Sequence, residues 1–354
     1  MSGDEADAYV SRQRKRLLIL VGVTVASVAI ALCSISVISF HISLQEAWGV
    51  VIKHLQGVPL DSYYDRIRDE IIFKGTLPRA LGSLIIGAIL GVSGAVMQYC
   101  VRNPLADPYT TGISSAALFG VTISLALGIM LIPGTGNIGL IVNAFVFAMI
   151  PCAIMIAISV RRKTTPTMLI LIGIGVMYLF TALTMVMKFN AEPEILEQII
   201  AWSIGSTSKV NWDAIPYLLF SLAVLLTGIA FYSSRLDVMS SGENTAISLG
   251  ADPKRTRLIC MVIVSACTAI AVSFCGSIGF VGLIVPHISR LLVGSKSRAL
   301  IPCSAAVGAL ILVIADVLSR SFGAGLPVGA ITAVIGSPVF LYFLIKMKTG
   351  GWGR

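Results

Sequence analysis

The chain has 354 residues, of which 56% are apolar and only 12% are charged, and its mean hydropathy is +0.92. Water-soluble domains carry about 25% charged residues, so this composition excludes a soluble globular protein and a large soluble catalytic domain. The net charge of +9 does not indicate a nucleic-acid binder, because the basic residues stand in small groups between apolar runs.

Apolar runs long enough to cross a membrane follow one another along the whole sequence. A helix of about 20 apolar residues crosses a bilayer, and marking such runs predicts an all-α polytopic membrane protein with about ten transmembrane helices. The predicted spans are 17–39, 78–100, 110–132, 138–160, 167–189, 212–233, 257–276, 280–294, 299–319 and 328–347. The eighth is short, so it is either a half-helix inside the protein or a full crossing.

The first run is predicted to be a retained span. A basic cluster (Arg12, Arg14, Lys15 and Arg16) precedes it, but the apolar stretch is too long for a signal-peptide core and has no small-residue cleavage site.

Charge asymmetry predicts a cell-membrane protein with both termini in the cytoplasm. In that orientation 18 of the 26 basic residues lie on inner segments, and 10 of the 17 acidic residues lie on outer ones. The predicted organisation is a cytoplasmic tail (1–16), one transmembrane domain (17–347) and a second cytoplasmic tail (348–354).

The second predicted span carries a small residue at every fourth position: Ser83, Gly87, Gly91 and Ala95. This spacing predicts a face on which another helix packs closely. The span is followed by the segment Arg102-Asn103-Pro104-Leu105-Ala106-Asp107-Pro108, where two prolines enforce a stiff non-helical turn. That turn is either a tight loop or part of a constriction.

Two outer segments, 41–77 and 190–211, are too long to be simple turns. Both carry aromatic residues, including Trp48 and Trp202, which predicts interfacial helices with aromatic anchors. A docking surface for an external partner is compatible with the same pattern.

The longest inner segment, 234–256, predicts a two-turn helix. Ser241 or Gly242 supplies an N-cap before Glu243, and Gly250 and then Pro253 end the helix. Such a helix would present three apolar residues, Ala246, Ile247 and Leu249, to a groove on a soluble partner. An ordered loop is the alternative.

Two features within the later spans could bear on function. Asp316 lies in an apolar run with Arg320 one turn later, which favours a structural ion pair over an ion pathway. Glycines at 276, 279 and 282, followed by Pro286, predict a broken helix, and His287 beside them is predicted to be a hydrogen-bonded structural residue.

Motifs for soluble-enzyme chemistry are missing from the sequence. There is no phosphate-binding G-x-x-x-x-G-K-[ST] motif, no serine protease-type triad and no C-x-x-C pair among the seven cysteines. The chain is therefore not expected to be an enzyme, to hold a metal or to bind a cofactor of its own.

Several ordered motifs together resemble a known family, the FecCD or cobalamin-permease family of permease subunits from type II ABC importers. The matching segments are Leu77-Pro78-Arg79, Gly94-Ala95-Val96-Met97-Gln98, Asn103-Pro104-Leu105-Ala106, Trp202-Ser203-Ile204-Gly205-Ser206, Ser248-Leu249-Gly250-Ala251, Gly279-Phe280-Val281-Gly282-Leu283-Ile284-Val285-Pro286-His287, and Leu326-Pro327-Val328-Gly329. The resemblance covers about residues 70–347.

The resemblance implies a homodimer that imports a metal chelate, most often an iron-siderophore, with haem and cobalamin as alternatives. Two cytoplasmic ATPase subunits would bind ATP and Mg, and a solute-binding protein would dock outside. An ion-coupled secondary transporter and an intramembrane enzyme are the rival hypotheses, and the sequence offers each little support.

The resemblance also implies roles for particular residues. The residues implied to contact the ATPases are Gly242, Glu243, Asn244, Ala246, Ile247, Leu249, Gly250 and Ala251. The residues implied to form an inner gate are Asn103, Leu105, Thr165 and Thr167. The residues implied to dock the binding protein are Arg79 and Arg320. Thr76 stands where the family has a basic residue, so Arg66 or Arg68 is the alternative docking residue.

Overall fold

The computed structural model describes residues 3–37, 42–58, 62–161, 165–322 and 325–346. No strand occurs in these ranges, which hold the helices α1 (Gly3–Cys33), α2 (Leu44–Leu55), α3 (Tyr63–Asp69), α4 (Leu77–Val101), α5 (Ile113–Leu127), α6 (Asn137–Arg161), α7 (Pro166–Phe189), α8 (Pro193–Ser203), α9 (Ala214–Ser240), α10 (Glu243–Ser248), α11 (Pro253–Cys275), α12 (Val281–Val293), α13 (Ser297–Ser321) and α14 (Val328–Lys346).

Each predicted span corresponds to one apolar helix within the described residues. Seven helices are long and apolar enough to cross a membrane, and three shorter apolar helices are α5, α12 and α14. The predicted fold class, an all-helical polytopic membrane protein, is therefore confirmed.

Several helix bounds differ from the predicted ones, and two of the differences have a local cause. The first helix already begins at Gly3, inside the predicted tail, because no residue between it and the apolar run breaks a helix. The helix of the third predicted span, α5, ends at Leu127 instead of 132, because Gly128 adopts a left-handed conformation with φ of 69°. The predicted tail 348–354 lies outside the described residues.

The helix α4 forms the centre of the bundle, and almost all of its residues are buried. The predicted small-residue face is confirmed: a Cβ added at Gly87 would strike the carbonyl oxygen of Gly308, and one at Gly91 would strike that of Ser304. A third close approach, between Gly94 and Gly282 of α12, lies outside the predicted face. Glycine lets the neighbouring backbones come this near.

The glycine-rich stretch interrupts the helix as predicted. The helix α11 ends before Gly276, whose φ is 74°, and α12 begins only at Val281. With 13 residues, α12 is about 20 Å long, shorter than the roughly 30 Å core of a bilayer. Within α12, His287 Nδ1 lies 2.7 Å from the Leu283 carbonyl oxygen, so His287 is hydrogen-bonded as predicted.

The first segment predicted to lie outside contains α2, α3 and a π-helix (Glu70–Thr76) that runs directly into α4. A capping box between Ser43 and Glu46 fixes the start of α2. Trp212 Nε1 donates to the Phe73 carbonyl oxygen at 2.8 Å and thereby ties this segment to the start of α9.

The second segment predicted to lie outside contains α8. Its Trp202 was predicted to be an interfacial anchor, but the side chain is 8% exposed. The reason is packing: Trp202 belongs to a buried apolar cluster with residues of α5 and α11, among them Ala117 and Val272.

Candidate functional site

The predicted helix of the inner segment is present as α10. It starts after Gly242, whose φ of 132° suits glycine, and two hydrogen bonds close its end: Gly250 N to Ile247 O and Ala251 N to Ala246 O, each 2.9 Å. With Gly250 at φ of 77°, this pairing is the Schellman motif. These bonds hold a helix of only six residues that would be unstable alone.

The helix α10 presents an apolar surface to solvent. Ile247 is 59% exposed and Leu249 is 68% exposed. The prediction that Ala246 joins them was wrong, because Ala246 is fully buried. Its small side chain faces inward where α10 packs against α9, leaving the two larger residues outside.

The predicted gate loop follows the end of α4. Arg102 leaves the helix with a φ of 51°, and Asn103 Oδ1 then accepts a hydrogen bond from Leu105 N at 2.9 Å. Leu105 is 40% exposed. The side chain of Asn103 therefore holds a tight turn that presents Leu105.

The loop turns back into the protein at Asp107, which is 2% exposed. Its carboxylate accepts a hydrogen bond from Tyr109 N at 2.6 Å and starts a short 3-10 helix, Pro108–Thr111. Burial raises the pKa of the Asp107 carboxyl to about 6. This group thus takes up a proton at a higher pH than an exposed aspartate.

The second predicted gate element lies beside the first. Thr165 caps α7 by accepting a hydrogen bond from Met168 N at 3.3 Å, and Thr167 is exposed in the first turn. Ala106 of the loop and Leu169 of α7 line the same small cavity. The structure therefore brings the loop and the start of α7 together.

At the opposite end of α4 lies Asp316 of α13. This residue is 1% exposed and forms ion pairs with two arginines. Arg79 Nε donates to its Oδ1 at 2.6 Å, and Arg320 Nη2 lies 2.8 Å from its Oδ2. Thr207 Oγ1 donates to Oδ1 at 2.7 Å. The predicted pair of Asp316 with Arg320 is confirmed, and Arg79 and Thr207 complete a cluster that joins three segments.

Both arginines of this cluster are engaged. The Arg79 side chain is 16% exposed and that of Arg320 is 9% exposed, and Arg320 Nη1 also donates to Ser34 O at 2.8 Å. Their docking role stays a prediction. A carboxylate compensated by two guanidiniums is poorly suited to bind and release a coupling ion.

One arginine connects α10 to the end of α4, and no sequence motif singles it out. Arg257 in α11 is 3% exposed, donates from Nε to Cys100 O at 2.8 Å and places Nη2 3.6 Å from Glu243 Oε1. In sequence it looks like its neighbours Lys254 and Arg255, both of which are exposed. Only packing distinguishes them.

Among the residues that the structure describes, no group of three or more His, Cys, Asp or Glu side chains is placed to hold a metal ion.

Comparison with known proteins gives a consistent match. Residues 23–346 match the FecCD transport family. The iron(3+)-hydroxamate import system permease protein FhuB of Bacillus subtilis is 36% identical over 90% of this chain and 81% of its own length. The cobalamin import system permease protein BtuC of Halobacterium salinarum is 40% identical over 76% of this chain and 71% of its own length.

A solved structure agrees in fold. It is described as an inward-facing conformation of a metal-chelate type ABC transporter, and it superposes with a TM-score of 0.80 at 31% identity. The match covers 93% of this chain and 99% of the other.

Proposed function

This chain belongs to the FecCD transport family of ABC-transporter permeases, and from that membership we propose that two copies form the translocation pathway of an ATP-driven importer. The observation that carries the proposal is the exposed apolar surface of α10. A pair of exposed apolar side chains on a firmly capped inner helix suits insertion into a groove of a soluble partner.

The partner at that surface is a cytoplasmic ATPase subunit, one for each copy of the chain. ATP and Mg bind to these subunits, since this sequence has no phosphate-binding loop. Both chain termini lie on the same cytoplasmic side of the cell membrane, in accord with the positive-inside charge distribution.

Transport follows from motion at the inner surface. Closure of the ATPases displaces α10, and the displacement changes the position of the gate loop at Asn103 and Leu105 relative to Thr165 and Thr167. The cavity between the two copies then opens to one side of the membrane at a time.

On the outer side, a solute-binding protein delivers the cargo. Arg79 and Arg320 are the basic residues proposed to receive its acidic side chains. Because both guanidiniums contact Asp316 in this structure, a docking carboxylate shares or replaces that contact.

The proposed cargo is an iron-siderophore. The hydroxamate permease of Bacillus subtilis matches over nine-tenths of this chain, which supports a ferric chelate. Haem and cobalamin remain the alternatives, and the cobalamin permease of Halobacterium salinarum matches over a shorter stretch.

Replacing Leu249 with glutamate is expected to abolish retention of the ATPase while membrane insertion continues, because the charge cannot be desolvated in an apolar groove. The measurement is co-purification of the tagged chain with its co-expressed ATPase in mild detergent, with the mass ratio of the two determined. The unmodified chain is expected to retain one ATPase per permease.

Leu55→Glu is the matched control. Leu55 is 72% exposed at the end of α2, on the predicted outer side, and Leu249 is 68% exposed. Equal retention by Leu249→Glu and Leu55→Glu would show that α10 is not the contact surface.

A further inference from the structure

The guanidinium of Arg257 lies where three segments meet. It is almost fully buried, and burying a charge without partners is costly. Its two partners are the Cys100 carbonyl oxygen, 2.8 Å from Nε, and the Glu243 carboxylate, 3.6 Å from Nη2. One rigid planar group therefore spans α4, α11 and α10.

The Cys100 carbonyl is a group that an isolated helix would leave without a partner. It belongs to the last turn of α4, and the last four carbonyls of a helix have no donor within it. A positive charge at that end also interacts favourably with the helix dipole. Arg257 thus fixes the end of α4, three residues before Asn103.

The Glu243 carboxylate belongs to the first residue of α10, and its side chain is 44% exposed. The segment that carries the exposed Leu249 is therefore joined to the end of α4 by an ion pair as well as by the chain itself. A displacement of α10 relative to α11 changes the distance from Glu243 to Arg257.

We infer that Arg257 is a positioning residue that transmits displacement of α10 to the gate loop through the end of α4. The inference rests on the proposed function, because it requires an ATPase that moves α10. The contact from Glu243 to Arg257 pulls or releases the guanidinium, and the Cys100 carbonyl moves with it.

Lysine cannot replace arginine here. A lysine ammonium keeps the charge, but it is a single compact head and cannot bond Cys100 O and face Glu243 at separate atoms. Arg257→Lys should therefore keep the fold and weaken the link. Glu243→Gln breaks the ion pair alone and leaves the bond from Arg257 to Cys100 in place.

The experiment follows the gate loop directly in the assembled complex of the chain with its ATPase. Leu105→Cys is introduced in a Cys33→Ser background, because Cys33 is exposed and the other six cysteines are buried. A membrane-impermeant maleimide then measures the labelling rate at position 105, with and without Mg-ATP and vanadate. ATP hydrolysis and ATPase retention are measured in the same samples.

In the parent complex, the nucleotide is expected to change the labelling rate. In Arg257→Lys that change is expected to be lost while hydrolysis continues. In Glu243→Gln the change is also expected to be lost, and it is compared only in samples that retain the ATPase, because Glu243 itself belongs to the proposed ATPase contact. The double variant should be no worse than either single one. Arg255→Lys, an exposed arginine in the same turn of α11, should behave as the parent.

A full nucleotide response in Arg257→Lys would overturn the inference. If that variant does not assemble, a full response in Glu243→Gln would overturn it equally. A parent chain that retains no ATPase would contradict the proposed function instead, so the two failures are distinguishable.

Discussion

Asp316→Asn is expected to destabilise the protein by about 3–5 kcal/mol, the usual cost of removing one partner from a buried ion pair. Asparagine preserves the shape of the side chain but leaves Arg79 and Arg320 facing one another with no negative charge between them. Thr207 Oγ1, which donates to the same carboxylate at 2.7 Å, loses its charged acceptor as well.

The measurement is thermal unfolding in detergent, followed with a thiol-reactive dye. Six of the seven cysteines are buried, so they react only as the protein opens. Asp213→Asn is the control: Asp213 is exposed and its partner is Asn211, so its loss should change the unfolding temperature little. Equal unfolding temperatures for the two variants would mean that Asp316 does not hold the cluster together.

A double-mutant cycle tests whether Asp316 and Arg320 stabilise the protein through their mutual contact. Asp316→Asn combined with Arg320→Gln should be less destabilising than the sum of the single changes, because removing one guanidinium relieves the unbalanced charge.

Gly94→Ala is expected to destabilise the protein by about 3 kcal/mol, at the upper end of typical overpacking costs. The added Cβ would overlap the carbonyl oxygen of Gly282 and lie 2.6 Å from its carbonyl carbon. Backbone atoms cannot rotate away as a side chain could, so α4 and α12 must separate along their contact.

Gly22→Ala is the matched change. Gly22 lies within α1, and a Cβ added there meets nothing within 4 Å. It should stabilise the protein slightly, because alanine favours a helix by about 1 kcal/mol over glycine. The same thiol-reactive dye measures both variants, and similar unfolding temperatures would contradict the packing described for α4.

The positions of the membrane helices could be predicted because the bilayer imposes one length and one polarity on every span. Local signals also sufficed for α10: Gly242 and Gly250 bound it at conformations that suit glycine. The ion pair between Asp316 and Arg320 could be predicted from the sequence because the two residues are four positions apart on one helix.

What could not be predicted depends on contacts between distant parts of the chain. Arg79 meets Asp316 across 237 residues, and Arg257 meets Cys100 across 157. No periodicity in a single sequence encodes such pairs. The same reason explains Trp202, whose burial follows from its packing against apolar residues of α5 and α11 and not from its neighbours in sequence.

The central claim is that ATPases drive this permease through α10, and the energy source of transport tests it most directly. Uptake of a radiolabelled ferric hydroxamate would be measured in cells that lack ATP synthase, so that a protonophore collapses ion gradients while fermentation maintains ATP. We expect uptake by the parent chain to persist under the protonophore and to be absent in Leu249→Glu. Uptake that stops with the gradients and continues in Leu249→Glu would contradict the account.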